Sequence, residues 1–387
     1  MCHSRKLTTT FLFILCYCTQ PVLSQDSSHI RVALLTVSPG EELYSTFGHT
    51  GIRIIDSSSM TDIVYNYGTF DFNDEFYINF MKGKLRYYIS WDSFIEFKEL
   101  YRNQSRGITE QVLFLEPDKK IALRQALNEN LLEKNKYYKY DFFFDNCTTR
   151  PRDLLKKFMD PSLVFHRAMP VGKRFREAIH EYLEKNNKHW SKLGIDILLG
   201  GPTDAIMTDN QDQFLPDNLM ISLTETNKEH HLLESEQNLY SFTPQENKTT
   251  LFTPLVLFSF LLVLILGIGL IKTSFSLAFL SGFSGMFFFL TGLLGILLVL
   301  MWTATDHAMC RNNYNLLWAW PTHLIMAFFI NSRKKWARNY FRVCSICMII
   351  LLVTWFILPQ QLNPALIPIL LMILLFCMKN GWNRKNF

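Results

Sequence analysis

Acidic residues are almost missing from the last third of this 387-residue chain: beyond Glu246 only Asp306 remains, against eleven Lys or Arg. The overall +5 is therefore composite, with a net +10 over 247–387 and a net −5 over 1–246. Charge is scarce as a whole, at 19% of residues where a globular protein carries roughly 25%. The basic residues of the C-terminal part punctuate apolar runs instead of sharing one water-exposed face, which excludes a nucleic-acid binder. A content of 49% hydrophobic and 14% aromatic residues excludes a disordered chain. Paired cysteines are also lacking. Of eight cysteines, Cys2, Cys16 and Cys18 lie near the start, Cys344, Cys347 and Cys377 in apolar runs and Cys310 between two such runs, so Cys147 stands alone in 25–246. That segment holds no His-x-x-x-His, no Cys-x-x-Cys and no clustered carboxylates, so neither a metal nor another cofactor is expected. Cys344-x-x-Cys347 sits in an apolar run and reads as packing. No internal repeat or low-complexity tract occurs.

What is present begins with an export signal over 1–24. Arg5 and Lys6 precede the apolar run Phe11–Cys18, and small residues at the cleavage-determining positions follow near Ser24. From Leu251 the composition changes to long apolar runs, and a span requires about 20 mostly apolar residues. Five are expected, over 251–271, 275–302, 314–330, 343–358 and 362–378, the last two being short enough to form one re-entrant hairpin. Basic residues test the topology. With residues 25–246 outside, the inner segments are the turn at Lys272, the loop with Arg333, Lys334, Lys335, Arg338 and Arg342, and the tail 379–387 with Lys379, Arg384 and Lys385. The outer loop 303–313 carries only Asp306 and Arg311.

Residues 25–225 read as one α+β domain, and 226–250 as a polar linker. Strands are expected at 30–37, 51–55, 63–67 and 110–115, and helices at 119–133, 151–159 and 174–184, giving a small antiparallel sheet with helices on it. An unpaired cysteine in an oxidising compartment is either a buried inert thiol, the partner of Cys310 or a reactive group. The surrounding Asp145-Asn-Cys147-Thr-Thr-Arg-Pro-Arg-Asp153 favours the last. Thr148 or Thr149 can cap a helix and Pro151 suits its first turn, so Cys147 lies just ahead of a helix N-terminus. Free N–H groups there, at Thr148 and Thr149, would stabilise a thiolate and an acyl oxyanion alike. The base is expected to be His49, which opens a strand between Gly48 and Gly51, glycines that leave room for substrate or for the cysteine helix. Asn66 on the neighbouring strand is the expected orienting group, ahead of Tyr65 and Asp62.

Gly48-His-Thr-Gly-Ile-Arg-Ile followed about a hundred residues later by Asp145-Asn-Cys-Thr resembles the circularly permuted NlpC/P60 papain-like group. There a strand-borne His precedes the helix-start Cys. A resemblance covering most of the chain rests on Phe47-Gly-His-Thr, Tyr65-Asn-Tyr-Gly-Thr-Phe-Asp-Phe72, Asp145–Asp153, Asp196-Ile-Leu-Leu-Gly-Gly-Pro-Thr-Asp204, Phe214-Leu-Pro-Asp and the C-terminal spans. It is to the Lnb family of bacterial lipoprotein N-acyltransferases. The resemblance implies a permuted papain-like periplasmic domain followed by an all-α transmembrane bundle of about five helices in the inner membrane, with a cytoplasmic C-terminus. It also implies transfer of a fatty acyl chain from a membrane phospholipid to the α-amino group of a lipoprotein's N-terminal diacylglyceryl-cysteine, with His49 and Cys147 carried over. The polar outer loop suggests further contacts, Asp306, His307, Asn312, Asn313 and Asn315 meeting the donor headgroup. Two other readings stand beside this one: a membrane-anchored Cys/His cell-wall peptidase or amidase, and a non-enzymatic envelope scaffold.

Overall fold

A computed structural model describes residues 29–71, 75–242 and 251–382. The expected export signal lies outside these residues. The first part is an α+β domain on one seven-stranded antiparallel sheet, in the order β6-β4-β3-β2-β1-β5-β7. Its strands are β1 (Ile30–Val37), β2 (His49–Asp56), β3 (Thr61–Thr69), β4 (Arg86–Ser93), β5 (Ile108–Leu113), β6 (Tyr137–Lys139) and β7 (Leu233–Tyr240). The helices are α1 (Phe76–Lys82), α2 (Phe94–Asn103), α3 (Pro117–Leu131), α4 (Glu133–Lys136), α5 (Thr149–Phe158), α6 (Phe175–Lys185), α7 (His189–Leu198) and α8 (Pro216–His230).

The interior strand β1 is buried on both faces, so Ile-Arg-Val-Ala-Leu-Leu-Thr-Val reads as a near-continuous apolar run. Val32 and Leu34 join Ile52, Ile54, Leu123, Leu155 and Leu219 under α3, α5 and α8, whereas Leu35 and Val37 pack with Val64, Phe97 and Tyr101 of α2. Each such side chain contributes about 1.5–3 kcal/mol by leaving water. Residues 226–240, expected as linker, instead complete α8 and form β7, which pairs with β5 along the sheet edge. The reason is that Leu-Glu-Ser-Glu-Gln-Asn-Leu-Tyr is an exposed edge strand, where polar side chains are no obstacle to backbone pairing.

The second part is helical: α9 (Pro254–Leu270), α10 (Ser274–Thr303), the one-turn α11 (His323–Met326), α12 (Lys335–Val353) and α13 (Leu366–Gly381). Of these, α10 and α12 are long and apolar enough to cross a membrane, while α9 and α13 are shorter apolar helices. The expected third span, 314–330, is not one helix. It consists of a 3-10 turn at Tyr314–Leu317, then α11, then a second 3-10 turn at Ala327–Phe329. Pro321 interrupts it, lacking an N–H and fixing its own φ. The last two apolar segments pack side by side, and Arg342 near the start of α12 donates from Nε to the carbonyl of Gly381 at the end of α13 (2.9 Å), so the pair is antiparallel.

Candidate functional site

The strands β2 and β3 stay paired from Asp56↔Thr61 to Gly51↔Asn66 and then part. The parting is local to β3, whose pairing with β4 also shifts between Asn66 and Thr69. Gly68 lies there at φ +89, a conformation that costs little only without a Cβ. The notch so opened is filled by Cys147. A Cβ placed on Gly68 would stand 3.2 Å from the cysteine's own Cβ. The sulfur lies 3.9 Å from the Thr148 hydroxyl, which meets that of Thr50 at 3.0 Å, and the backbone N–H groups of Thr50 and of Cys147 itself act on the thiol by lowering its pKa. The thiol is thereby held within one residue of His49.

Cys147 does precede a helix start, with Thr148 at the N-cap position, but the side chain that caps it belongs to neither Thr148 nor Thr149. Asn146 Oδ1 accepts from the N–H of Thr148 (2.7 Å) and of Thr149 (2.8 Å), and its amide donates to the carbonyls of Phe142 (2.7 Å) and Phe214 (2.9 Å). The two N–H groups expected to receive an oxyanion are therefore occupied. The donors left at the sulfur are those of Thr50 and Cys147.

The expected orienting residue is in place: His49 Nε2 donates to Asn66 Oδ1 at 3.0 Å. The direction of this bond follows from the next one. Asn66 Nδ2 donates to Asp92 Oδ2 (2.8 Å), and a carboxylate can only accept, so the amide oxygen must face the imidazole. Nε2 then carries the ring proton and Nδ1 keeps its lone pair, the tautomer a general base needs. Tyr65 and Asp62, the alternatives to Asn66, are engaged elsewhere, with Asn128 and Arg53. Asp92 was not legible beforehand because it belongs to β4, whose Tyr-Tyr-Ile-Ser-Trp sequence lacks alternation. The two glycines beside His49 serve the sheet: a Cβ on Gly51 would meet Val64 at 2.8 Å, and one on Gly48 the carbonyl of Val37 at 2.7 Å.

Burial dominates the electrostatics. It pushes His49 down to about 4, against the hydrogen bond to Asn66, and the Arg106 cation pushes the same way. Burial raises the Cys147 thiol above its ordinary value, opposed by Thr148, the two N–H groups and Arg106. Both shifts favour the uncharged forms, a neutral thiol at Cys147 and a neutral imidazole at His49. Arg106, which the sequence did not single out, lies at the same end of the sheet, between α2 and β5. Its Nε donates to the Ser38 carbonyl (2.8 Å) and its guanidinium rests on the Tyr101 ring (4.7 Å), yet its buried Nη2 has no partner. The His49 ring stacks on the same Tyr101 at 6.2 Å. The wall around the thiol is aromatic: Tyr87 stacks on Tyr140 at 4.1 Å, and burial, with Cys147 nearby, raises the Tyr87 phenol to about 12.

The outer-loop residues expected at the headgroup do something else. Asn313 Nδ2 donates to the carbonyls of Ile197 (2.8 Å) and Leu198 (3.0 Å), and Asn315 Nδ2 to those of Asp196 (3.1 Å) and Ile197 (3.2 Å). Both side chains are buried and bound, which leaves them nothing to offer a lipid. The carbonyl of Asn312 accepts from Gly201 N–H at 3.1 Å. Asp306 pairs with Lys139 at 2.8 Å, and His307 Nε2 donates to the Phe80 carbonyl at 2.9 Å. This loop docks the α+β domain. Behind it, Arg176 is buried between Asp196 (2.9 Å) and Asp204 (3.0 Å), with Asn363 of the loop between α12 and α13 on Asp196 (2.8 Å). Gly200 is required by the fit: a Cβ there would stand 1.9 Å from the Arg311 carbonyl. Cys310 is buried at this seam and, like Cys147, is a free thiol.

Residues 22–181 match the family model for the Lnb N-terminal periplasmic domain, and residues 245–386 that for the Lnb transmembrane domain. No curated protein and no solved structure matches the chain.

Proposed function

From the premise that the chain belongs to the Lnb family, an inner-membrane protein with a periplasmic domain, we propose that it is a lipoprotein N-acyltransferase working through an acyl-thioester on Cys147. The observation that carries this reading is the notch, where one unpaired thiol meets two inward N–H groups beside an imidazole whose tautomer is fixed by Asn66. His49 Nδ1 takes the thiol proton as sulfur attacks the ester carbonyl of a phospholipid. The carbon–sulfur bond forms, the N–H groups of Thr50 and Cys147 receive the oxyanion, and the ester C–O bond breaks as His49 returns its proton to the departing lysophospholipid. The lipoprotein's α-amine then attacks the thioester, a C–N bond replaces C–S, and its proton passes through His49 to the thiolate. Water must be kept away throughout, or the thioester hydrolyses, and the aromatic wall of Tyr87 and Tyr140 suits that. A papain-like core in permuted order accords with His49 on a strand and Cys147 before α5.

The topology belongs to the same proposal. The loops that dock the α+β domain, 304–315 and 358–363, carry few charges, whereas the 331–342 segment and the C-terminus carry the basic residues, a distribution that supports a cytoplasmic position for the latter. A peptidase on the same dyad would require an open polar groove in place of this aromatic wall. The test is the N-terminal mass of lipoproteins from cells whose only N-acylating activity is this protein. Cys147→Ser is expected to leave them diacylated, and triacylated lipoprotein in that strain would end the proposal.

A further inference from the structure

The helix α1 and the start of β4 form a ledge that the chemistry above does not use. On α1, Ile78, Phe80 and Met81 are each about half exposed, at 49%, 52% and 54%. Beside them is a cleft of about 530 Å³ lined by Lys84, Arg86, Lys134 and Lys139 against Glu133 and Asp306. A smaller hollow of about 340 Å³ shares Lys84 and Arg86 with it. Asp306 is already paired with Lys139, and among the described residues Lys84, Arg86 and Lys134 have no ion pair. Lys84, Arg86 and Lys134 outnumber the carboxylates here that lack an ion pair among the described residues, Glu133 in the cleft and Asp71 in the adjoining hollow, and so attract an anion.

The height of this ledge is set by covalent and hydrogen-bonded connection to the membrane part. The transmembrane helix α10 ends at Thr303, one residue after Trp302, a residue type that gathers at the headgroup level. Three residues on, the Asp306 N–H donates to the Lys82 carbonyl (3.0 Å), and His307 donates to that of Phe80 (2.9 Å). The apolar side chains of α1 are therefore held within a turn of the bilayer surface, with the cations directly beside them, the order in which an interfacial segment meets acyl chains and phosphates. The ledge also leads to the notch. Arg86 borders the cleft, and the next residue on β4, Tyr87, stacks on Tyr140, which lies with Cys147 against Gly68.

We propose that this ledge is a phospholipid site: the side chains of α1 enter the outer surface of the bilayer, and Lys84, Arg86 and Lys134 hold the headgroup of a net-anionic glycerophospholipid. The continuity with α10 and the charge of the cleft argue for the membrane in which the chain itself sits, over a soluble anion. The site stands whether or not Cys147 transfers an acyl chain.

Hydrogen–deuterium exchange of residues 76–91 tests it, on full-length Cys147→Ala protein in nanodiscs of phosphatidylcholine with or without phosphatidylglycerol. Phosphatidylglycerol is expected to slow exchange by roughly fivefold for each engaged charge. The triple variant K84E/R86E/K134E, altered only at exposed positions, is expected to abolish the difference while β1–β3 keep their protection. Equal exchange in the two lipid compositions, or unchanged protection in the triple variant, would overturn the proposal. So would equal protection by inorganic phosphate alone in detergent, which would make the ledge a phosphate site. Because the protein used has no nucleophile, none of these outcomes bears on the acyl-thioester.

Discussion

Two clusters of buried polar residues, one at the seam with the helical part and one at the notch, differ in how completely they are satisfied. At the seam, Arg176 spends its donors on Asp196, Asp204 and the carbonyls of Leu199 and Gly200, and the amides of Asn313 and Asn315 each bridge carbonyls of 196–198. At the notch, Arg106 Nη2 is unpartnered, His49 and Cys147 are both held in their neutral forms, and the Cys147 sulfur, a poor acceptor, has only the distant Thr148 hydroxyl at 3.9 Å as a side-chain partner. A saturated network has no capacity for a ligand, and its contribution is to fix geometry. An unsaturated one stores unfavourable desolvation that a developing oxyanion relieves. The difference separates residues that hold the α+β domain on the helical part from those that the proposed chemistry would use.

Substitutions should separate the clusters in the same way. The largest effect is expected from Arg176→Ala, which strands two buried carboxylates and should cost about 3–5 kcal/mol of stability, read from denaturant midpoints of the detergent-solubilised protein. An Arg176→Ala protein of normal stability would break the comparison. Next, Asn66→Ala should lower kcat on the order of tenfold to a hundredfold, a part of what positioned proton transfer supplies, with the midpoint shifted far less. Asn315→Ala should behave oppositely, losing roughly 1–3 kcal/mol as carbonyls of 196–197 go unpaired, with full activity per folded molecule. Activity lost at unchanged stability would return Asn315 to the lipid site.

The smallest effects lie in pH. With its thiol raised above the ordinary 9, Cys147 should alkylate with iodoacetamide slowly at neutral pH, at a rate still climbing beyond pH 9. A plateau near pH 6–7 would instead indicate a thiolate–imidazolium pair. His49, lowered from 6.5 to about 4, favours the folded state above 6.5, a contribution lost as pH falls from 6.5 towards 4. Arg106→Gln should raise the His49 midpoint in an NMR titration, since it removes a neighbouring cation.

Much of this arrangement was readable from particular residues. β1 is apolar on both faces and His49 opens a strand, so β1, β2 and β3 follow from composition, and the register Gly51↔Asn66 makes Asn66 the partner of His49. The helix before which Cys147 sits was legible in Thr-Thr-Arg-Pro, although the cap was not, because Asn146 reaches forward from the position preceding the nucleophile. What stayed hidden depends on pairing between distant segments. β7 and the buried stripe of α8 are polar in sequence, Asp92 and Arg106 are brought in by β4 and β5, and the asparagines of 312–315 look solvated until the 196–201 segment covers them. Polar residues reveal their role only through their partners, and local patterns do not contain those.

The central claim is that Cys147 carries the acyl chain between donor and acceptor. Intact mass of the full-length protein after incubation with phospholipid, without lipoprotein acceptor, tests it most directly. The account predicts a mass increment of one acyl chain, removed by neutral hydroxylamine as thioesters are and absent from Cys147→Ser. An unmodified protein that still N-acylates lipoprotein, or an increment that persists in Cys147→Ser, would contradict it.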